Sequence, residues 1–193
     1  MNYNKKGIRV LAFAESFDIS EKYSTLVGII MRKDFIIDGV TIGGITVRGN
    51  DSTYVIINLI NNLARNDINC IFIDGIIVSM YNIIDGSKIF RNTGIPLIAL
   101  TFENPKKDIH ETLKKYFPYD YESRISKYDK IGKRHIIKLK TNKVVYSKNW
   151  GINSDDASNL INSFIIQGSI PEPIRIAKLC AKAFLKYQQI LKK

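Results

Sequence analysis

The stretch of sequence that decides the fold is Asn66-Asp67-Ile68-Asn69-Cys70-Ile71-Phe72-Ile73-Asp74-Gly75. Between Ile68 and Ile73 only Asn69 interrupts the apolar run, which then stops at Asp74 and Gly75. Such a run, rich in β-branched and aromatic residues, is typical of a central strand covered on both faces. Open α/β sheets bind ligands at the carboxyl ends of their strands, so Asp74 is the first candidate for chemistry. The alternative interpretation is a simple Asp-Gly turn.

The chain before this strand is β-rich. Strand patterns over residues 7–14, 23–31 and 35–42, the last continuing through 45–47, predict a three-stranded antiparallel meander, because the connection at 32–34 is short. Asp51 or Ser52 then offers an N-cap for a helix. After Asp74, residues 76–84 predict a loop that turns into a helix, 85–90 a short helix and 95–100 a further strand.

This order of three antiparallel strands, helix, strand, helix and strand is that of the ribonuclease H-like fold. We therefore predict an α/β protein with a mixed five-stranded sheet and helices on both faces, built with right-handed crossovers. In that arrangement the first strand lies beside the strand that ends at Asp74, and both have their carboxyl ends at one edge of the sheet.

The remaining segments are predicted to decorate and close this core. Residues 105–150 form a basic, insertion-like embellishment, with helices over 106–117 and 119–131 and a hairpin over 135–146. Helices then begin near Ser154 and Pro173, and Pro173 suits a first helical turn. We predict one domain spanning residues 1–193.

Length and composition favour a protein of the cytoplasm. The 193 residues contain no apolar run of the roughly 18 residues that a membrane helix needs, and no signal peptide is visible. The two cysteines, Cys70 and Cys180, lack metal-site spacing and are interpreted as small apolar residues in a reducing compartment. Nothing in the pattern predicts an oligomeric state.

Positive charge is concentrated in the second half of the chain. The formal net charge is +11, yet residues 1–103 are neutral, whereas residues 104–150 carry thirteen basic and five acidic side chains. Such asymmetry suits a surface that binds DNA or RNA through phosphates. Within this region Lys133, Arg134, Lys138 and Lys140 are the candidate nucleic-acid-binding residues. The alternative is a lysine-rich solvated face.

Two carboxylates are expected at the same sheet edge, Glu15 after the first strand and Asp74 after the fourth. They are the candidate catalytic residues and the candidate ligands for Mg²⁺ or Mn²⁺, because Mg²⁺ favours one or two carboxylates together with water and substrate phosphates. A cation held there would orient a water molecule and stabilise charge on a scissile phosphate.

The sequence resembles the mostly archaeal family known as domain of unknown function 99, which is classed beside endonuclease V. Five segments carry the resemblance in order along nearly the whole chain: residues 7–17, 27–32, 73–76, 93–98 and 167–177. The resemblance implies a ribonuclease H-like core and an endonuclease V-like protein. Endonuclease V itself uses Mg²⁺ to cut near deaminated purines.

The chain departs from the endonuclease V pattern at two acids. That enzyme has an Asp at the end of its first strand, an Asp-Gly after the fourth and a Glu between them. Asp74-Gly75 matches the second Asp, but Ala14 stands at the first position and the acid follows at Glu15. No convincing counterpart of the middle Glu is visible in this chain. The nearest candidates for it are Asp38 and Asp51, and both are also explained as turn or cap residues. A shift of one residue along a strand turns a side chain to the opposite face, so Glu15 points away from Asp74 if the strand continues and back towards it if the strand has ended.

Three functions from different classes remain open. The first is a metal-dependent nuclease acting on DNA or RNA, the second a nucleic-acid-binding protein that keeps the fold without the full carboxylate set, and the third an interaction or scaffold protein. We expect an endonuclease V-like protein.

Overall fold

The computed structural model describes residue 5, residues 7–104 and residues 109–192. The strands are β1 (Arg9–Ser16), β2 (Tyr23–Arg32), β3 (Ile37–Thr46), β4 (Cys70–Asp74), β5 (Ile77–Val78), β6 (Asn82–Ile83), β7 (Leu97–Thr101), β8 (His135–Lys138) and β9 (Val144–Trp150). The helices are α1 (Ser52–Asn62), α2 (Gly86–Thr93), α3 (His110–Tyr116), α4 (Tyr121–Asp129), α5 (Ser154–Ser163) and α6 (Glu172–Leu191).

Seven strands form one mixed sheet in the order β3-β2-β1-β4-β7-β9-β8. The three strands β1, β4 and β7 are parallel, and the β1–β2, β2–β3, β7–β9 and β8–β9 pairs are antiparallel. The five predicted strands are the consecutive members β3 to β7 of this order. The carboxyl ends of β1, β4 and β7 therefore share one edge, as the sequence predicts.

Helices cover both faces of the sheet. On one face Ala12 and Phe72 pack with residues of α5 and α6, and on the other Phe13 and Ile73 pack with residues of α1 and α2. Alternate residues of β1 and β4 thus enter two separate cores, which explains the uninterrupted apolar run of β4. Among the described residues, no helix combines the length and the apolar character that a membrane crossing requires.

The predicted hairpin belongs to the main sheet and is not an appendage. The strand β7 pairs with β9 along its whole length, and β8 adds the outer edge, so the sheet has seven strands where five were predicted. The prediction of a helix within residues 76–84 is wrong, because β5 and β6 form a two-stranded hairpin there. Residues 106–108 of the predicted helix over 106–117 lie outside the described residues, and α3 begins at His110.

Candidate active site

A cavity of about 620 Å³ opens at the carboxyl ends of β1, β4 and β7. Its lining includes Glu15, Asp74, Thr101, Glu103, Lys178 and Lys182. The first four of these residues lie at the ends of β1, β4 and β7 or shortly after them, and α6 supplies the two lysines. The cavity therefore lies where the sequence predicts a functional site, with a basic helix as one wall.

Asp74 is the last residue of β4 and is held by an ion pair. Its Oδ2 atom accepts a hydrogen bond from Lys178 Nζ at 2.8 Å, and 13% of the Asp74 side chain is exposed against 42% of the Lys178 side chain. Gly75 follows with φ +87°, a backbone conformation that favours glycine, and its amide donates to Leu100 of β7 at 2.7 Å. The turn thus fixes the Asp74 carboxylate at the cavity wall.

Glu15 lies on the opposite face of the sheet from Asp74. The strand β1 continues to Ser16, and its side chains alternate, with Ala14 in the core beneath α5 and α6 and Phe13 in the core beneath α1 and α2. Phe13 pairs with Ile73 across the parallel ladder, so the same register brings Ala14, and not Glu15, level with Asp74. Of the two orientations left open by the sequence, the structure shows the one that points away.

The Glu15 carboxylate holds the turn between β5 and β6. It accepts hydrogen bonds from the backbone amide and from the hydroxyl of Ser79, and both contacts are short. Ser79 is fully buried and its hydroxyl also lies 2.7 Å from that of Ser24. Both carboxylates line the cavity, but each is engaged by a different protein partner.

The turn held by Glu15 is strained. Ser79, Met80 and Tyr81 all have positive φ, at 43°, 59° and 68°, although none is glycine. Such conformations persist only where surrounding contacts over-determine them, and they concentrate at functional sites. Here the backbone amide of Arg48 donates to the Ser79 carbonyl at 2.7 Å, and the buried Arg124 guanidinium donates to the Tyr81 carbonyl at 2.8 Å.

The side chains at the cavity suit a cation held by one protein carboxylate. No group of three or more His, Cys, Asp or Glu residues within the described part of the chain is arranged to hold a metal ion. Asp74, however, already binds a positive group through one oxygen, because the Lys178 ammonium lies 2.8 Å from its Oδ2 atom. Asp74 would hold Mg²⁺ through its carboxylate, and the cavity has room for the water and substrate phosphates that would complete the ligand set.

A second cavity of about 290 Å³ lies next to the first and shares Gly75, Ile77, Thr101 and Glu103 with it. Tyr81, Tyr128 and Arg134 contribute to its remaining wall. The Arg134 guanidinium lies over the Tyr128 ring, 6.0 Å from its centroid, and the buried Nε atom has no hydrogen-bond partner among the described residues. Arg134 is thus the candidate nucleic-acid-binding residue that the structure brings to the site.

The other three candidates lie along or beside the outer strand β8. Lys133, Lys138 and Lys140 are exposed. Because β8 and β7 both run antiparallel to β9, the turn after β8 that contains Lys140 is at the sheet edge where β7 ends. That turn is fixed by a hydrogen bond from the Lys140 amide to Asn162 at 2.7 Å. Their role in nucleic-acid binding stays a prediction.

Lys178 and Lys182 are among the residues of the cavity that sequence reasoning missed, together with Thr101 and Glu103. The signal of the two lysines is present in the helix pattern, since Lys178, Lys182 and Lys186 recur every four residues beside the buried stripe of Ile174, Ala177 and Ala181. Spacing of this kind predicts a basic flank along α6. It does not predict that the flank meets Asp74.

Three further charged residues, the candidates Asp38 and Asp51 together with Arg175 of α6, have structural partners. Asp38 pairs with Arg9 at 2.7 Å, and Arg175 pairs with Glu172 at 2.6 Å, a contact that raises the pKa of Arg175. Asp51 occupies the predicted N-cap position of α1, but its side chain makes no cap hydrogen bond and instead accepts from Thr46 and Asn82. Neither Asp38 nor Asp51 lines the cavity.

The fold and the cavity define an α/β protein of the ribonuclease H-like class with an aspartate at the end of the fourth strand. A Ciona intestinalis endonuclease V, crystallised with DNA that contains an inosine, has a similar fold, with a TM-score of 0.62 at 12% identity over 94% of this chain and 87% of that chain. A protein of unknown function from Archaeoglobus fulgidus is more similar, with a TM-score of 0.79 and 27% identity over 92% of this chain and 98% of that chain. These likenesses confirm the ribonuclease H-like prediction.

The chain belongs to the family described as Endonuclease dU, whose model matches residues 6–185. A UPF0215 protein of Pyrobaculum calidifontis is 34% identical over 177 residues, which is 92% of this chain and 97% of the relative. The family resemblance drawn from the sequence is confirmed.

Proposed function

We propose that this protein is an endonuclease that cuts DNA at deoxyuridine, with the cavity around Asp74 as its active site. The family description supplies the activity and the nucleotide, and the similar endonuclease V was crystallised with inosine-containing DNA. The single observation that carries the proposal is the position of Asp74, whose carboxylate ends the central strand at a cavity of about 620 Å³. Deoxyuridine and inosine are both products of base deamination, which gives the two substrates a shared chemistry.

The basic residues around the cavity bind and orient the DNA in this proposal. Lys178 and Lys182 approach from α6, and Arg134 lies at the adjoining cavity. Phosphate contacts of this kind fix the position of the strand without reading its sequence. The exposed Lys133, Lys138 and Lys140 extend the positive surface along β8, where each contact adds to a salt-dependent affinity.

We infer that the cofactor is Mg²⁺ or Mn²⁺ and that Asp74 is its protein ligand. Such a cation supplies an activated water and stabilises negative charge on the phosphate. Glu15 stays a candidate second ligand, although in the described arrangement its carboxylate is held by Ser79 on the other face of the strand. The Asp74 carboxylate is available once Lys178 moves, because the lysine side chain is 42% exposed and reaches solvent.

A second candidate function is DNA or RNA binding without cleavage. Two observations favour it: Ala14 stands level with Asp74 in place of an acid, and the Asp74 carboxylate is itself ion-paired. The positive charge of the second half of the chain serves this function equally well.

A cleavage assay with matched oligonucleotides separates the two functions. The substrates carry one deoxyuridine, one inosine or no modification, in single- and double-stranded DNA, and each is incubated with Mg²⁺, with Mn²⁺ or with EDTA. We expect cation-dependent cleavage next to deoxyuridine and little at the unmodified site. Salt-sensitive binding of every substrate without cleavage of any would refute the nuclease and support the binding protein.

A further inference from the structure

Lys178 occupies the Asp74 oxygen that a divalent cation needs. The Nζ to Oδ2 distance of 2.8 Å is that of a charge-assisted hydrogen bond, and the Asp74 side chain is mostly buried. An ammonium and a divalent cation repel one another at such a separation, and the repulsion is strongest where water is scarce. Both groups therefore do not share this carboxylate oxygen.

The surroundings offer Lys178 a second position. Its side chain is 42% exposed and it forms part of the cavity wall together with Lys182, one turn further along α6. Within the described part of the chain, Asp74 is its one recorded carboxylate partner. A flexible lysine stem that leaves Asp74 at this place keeps its ammonium at the cavity, where a phosphate of bound DNA is the complementary partner.

Two other basic residues of α6, Arg175 and Lys186, are arranged differently from Lys178. Arg175 is tied to Glu172 on its own helix at 2.6 Å, and Lys186 does not line the cavity. Lys178 therefore both contacts Asp74, the proposed cation ligand, and lines the cavity that is proposed to bind DNA.

We propose that Lys178 is a switch residue that exchanges Asp74 for a DNA phosphate when the divalent cation binds. This inference rests on the proposed function and adds to it a coupling between the two ligands. Release of Lys178 by the cation makes a phosphate contact available, and capture of Lys178 by DNA frees Asp74 for the cation. By linkage, each ligand raises the affinity for the other by the same factor.

The first test measures cation binding without DNA. Mn²⁺ is titrated into the full chain, and free Mn²⁺ is followed by electron paramagnetic resonance for wild type, Lys178→Met, Lys178→Gln and the matched control Lys186→Met. We expect both Lys178 variants to bind Mn²⁺ at least tenfold more tightly than wild type, and the control to match wild type within twofold. Asp74→Asn abolishes this binding. Equal Mn²⁺ affinity of wild type and the Lys178 variants would overturn the inference, as would binding by none of them.

The second test measures the phosphate contact. Binding of unmodified duplex DNA is recorded against salt concentration with and without Mn²⁺, and thermal unfolding verifies that each variant is folded. We expect Lys178→Met, relative to Lys186→Met, to reduce the salt slope by about one when Mn²⁺ is present and by clearly less when it is absent. A reduction of the same size without Mn²⁺ would contradict the exchange. Neither test reads cleavage, so a failed nuclease assay and a failed switch are distinguishable.

Discussion

At the scale of single residues, Glu15 shows how one position along a strand decides between two roles. Glu15 lies two residues after Phe13 and therefore on the same face of β1. It faces the β5–β6 hairpin, where its carboxylate accepts two hydrogen bonds from Ser79. Those bonds hold a turn in which three successive non-glycine residues have positive φ. The structure therefore gives Glu15 an anchoring contact, and its predicted metal contact stays to be tested.

Replacing Glu15 distinguishes the anchor from the ligand. Glu15→Ala removes the acceptor of the buried Ser79 amide and leaves the Ser79 hydroxyl with Ser24 as its remaining partner. We expect a loss of about 1–3 kcal/mol in the free energy of unfolding, measured with urea. Glu15→Gln keeps one acceptor and should lose about half as much. A Glu15→Gln protein of unchanged stability that no longer binds Mn²⁺ would instead assign the residue to the metal site.

The contact between Lys178 and Asp74 marks the limit of what residue patterns predict. Asp74 was found from the apolar run that it ends, because a strand end at a sheet edge is a local signal. Its partner lies 104 positions later on a helix whose lysine spacing indicates only a basic flank. Which strand that flank meets depends on how α6 crosses the sheet, and no local spacing contains that information.

At the scale of elements, the predictions succeed where an apolar pattern extends over many residues. They fail where a strand pairs with a segment far away in the sequence. The strands β1 to β4 and the helix α6 follow from runs of five to twenty residues with a clear apolar pattern. The hairpin β8–β9 was recognised as a hairpin, but its place beside β7 depends on a contact between segments about 50 residues apart. The strands β5 and β6 have two residues each, too few for alternation to be visible.

Close approach of β1, β2 and β3 predicts a strong effect at Gly28. A Cβ atom there would lie 2.6 Å from Thr41 Cγ2 and 2.7 Å from a ring carbon of Phe13, whereas one at Gly44 would have its nearest neighbour at 3.4 Å. We expect Gly28→Ala to lower the free energy of unfolding by about 1–3 kcal/mol through overpacking. Gly44→Ala, the control, should be neutral or slightly stabilising, because alanine restricts the unfolded chain. Equal urea midpoints for the two variants would contradict this packing.

The connection between α1 and β4 carries a pH-dependent ion pair. Hydrogen bonds from Arg65 to the Asp67 carboxylate, at 2.7 and 2.8 Å, lower the pKa of Asp67. A lowered carboxyl pKa contributes stability that is present above the unfolded-state value, about 3.9, and is lost as the pH falls through the folded-state value.

We therefore expect Asp67→Asn to destabilise the protein at pH 7, by less than about 1 kcal/mol because the side chain is partly exposed. Thermal unfolding of wild type and variant should converge as the pH falls below about 4. A difference in melting temperature that is the same at pH 7 and at pH 3 would show that the charge of Asp67 is not the cause.

At the scale of the whole molecule, the uneven charge follows the architecture. The neutral first 103 residues build β1 to β7, whereas the basic region supplies α3, α4 and the outer strands β8 and β9. The positive surface thus begins beside the cavity at Arg134 and continues to the turn at Lys140. Location in the cytoplasm stays a prediction.

Salt dependence tests whether this surface contacts DNA. We expect the double variant Lys138→Met and Lys140→Met to reduce the slope of log affinity against log salt by about two, because each phosphate contact contributes about 0.9. The control is Arg32→Gln at the opposite sheet edge, where the arginine already pairs with Asp34 at 2.5 Å. An unchanged slope in the double variant would leave these lysines as a solvated face.

The central claim is that the Asp74 carboxylate carries out the chemistry of a nuclease, and one comparison tests it most directly. Cleavage and binding of a deoxyuridine duplex with Mn²⁺ are measured for wild type, Asp74→Asn and Asp85→Asn; Asp85 also precedes a glycine but caps α2 outside the cavity. We predict that Asp74→Asn binds the duplex yet cleaves it at least about 100-fold more slowly, since several kcal/mol of charge stabilisation are lost with the cation. Asp85→Asn should cleave like wild type. Cleavage by Asp74→Asn at the wild-type rate would contradict the account and place the active site elsewhere.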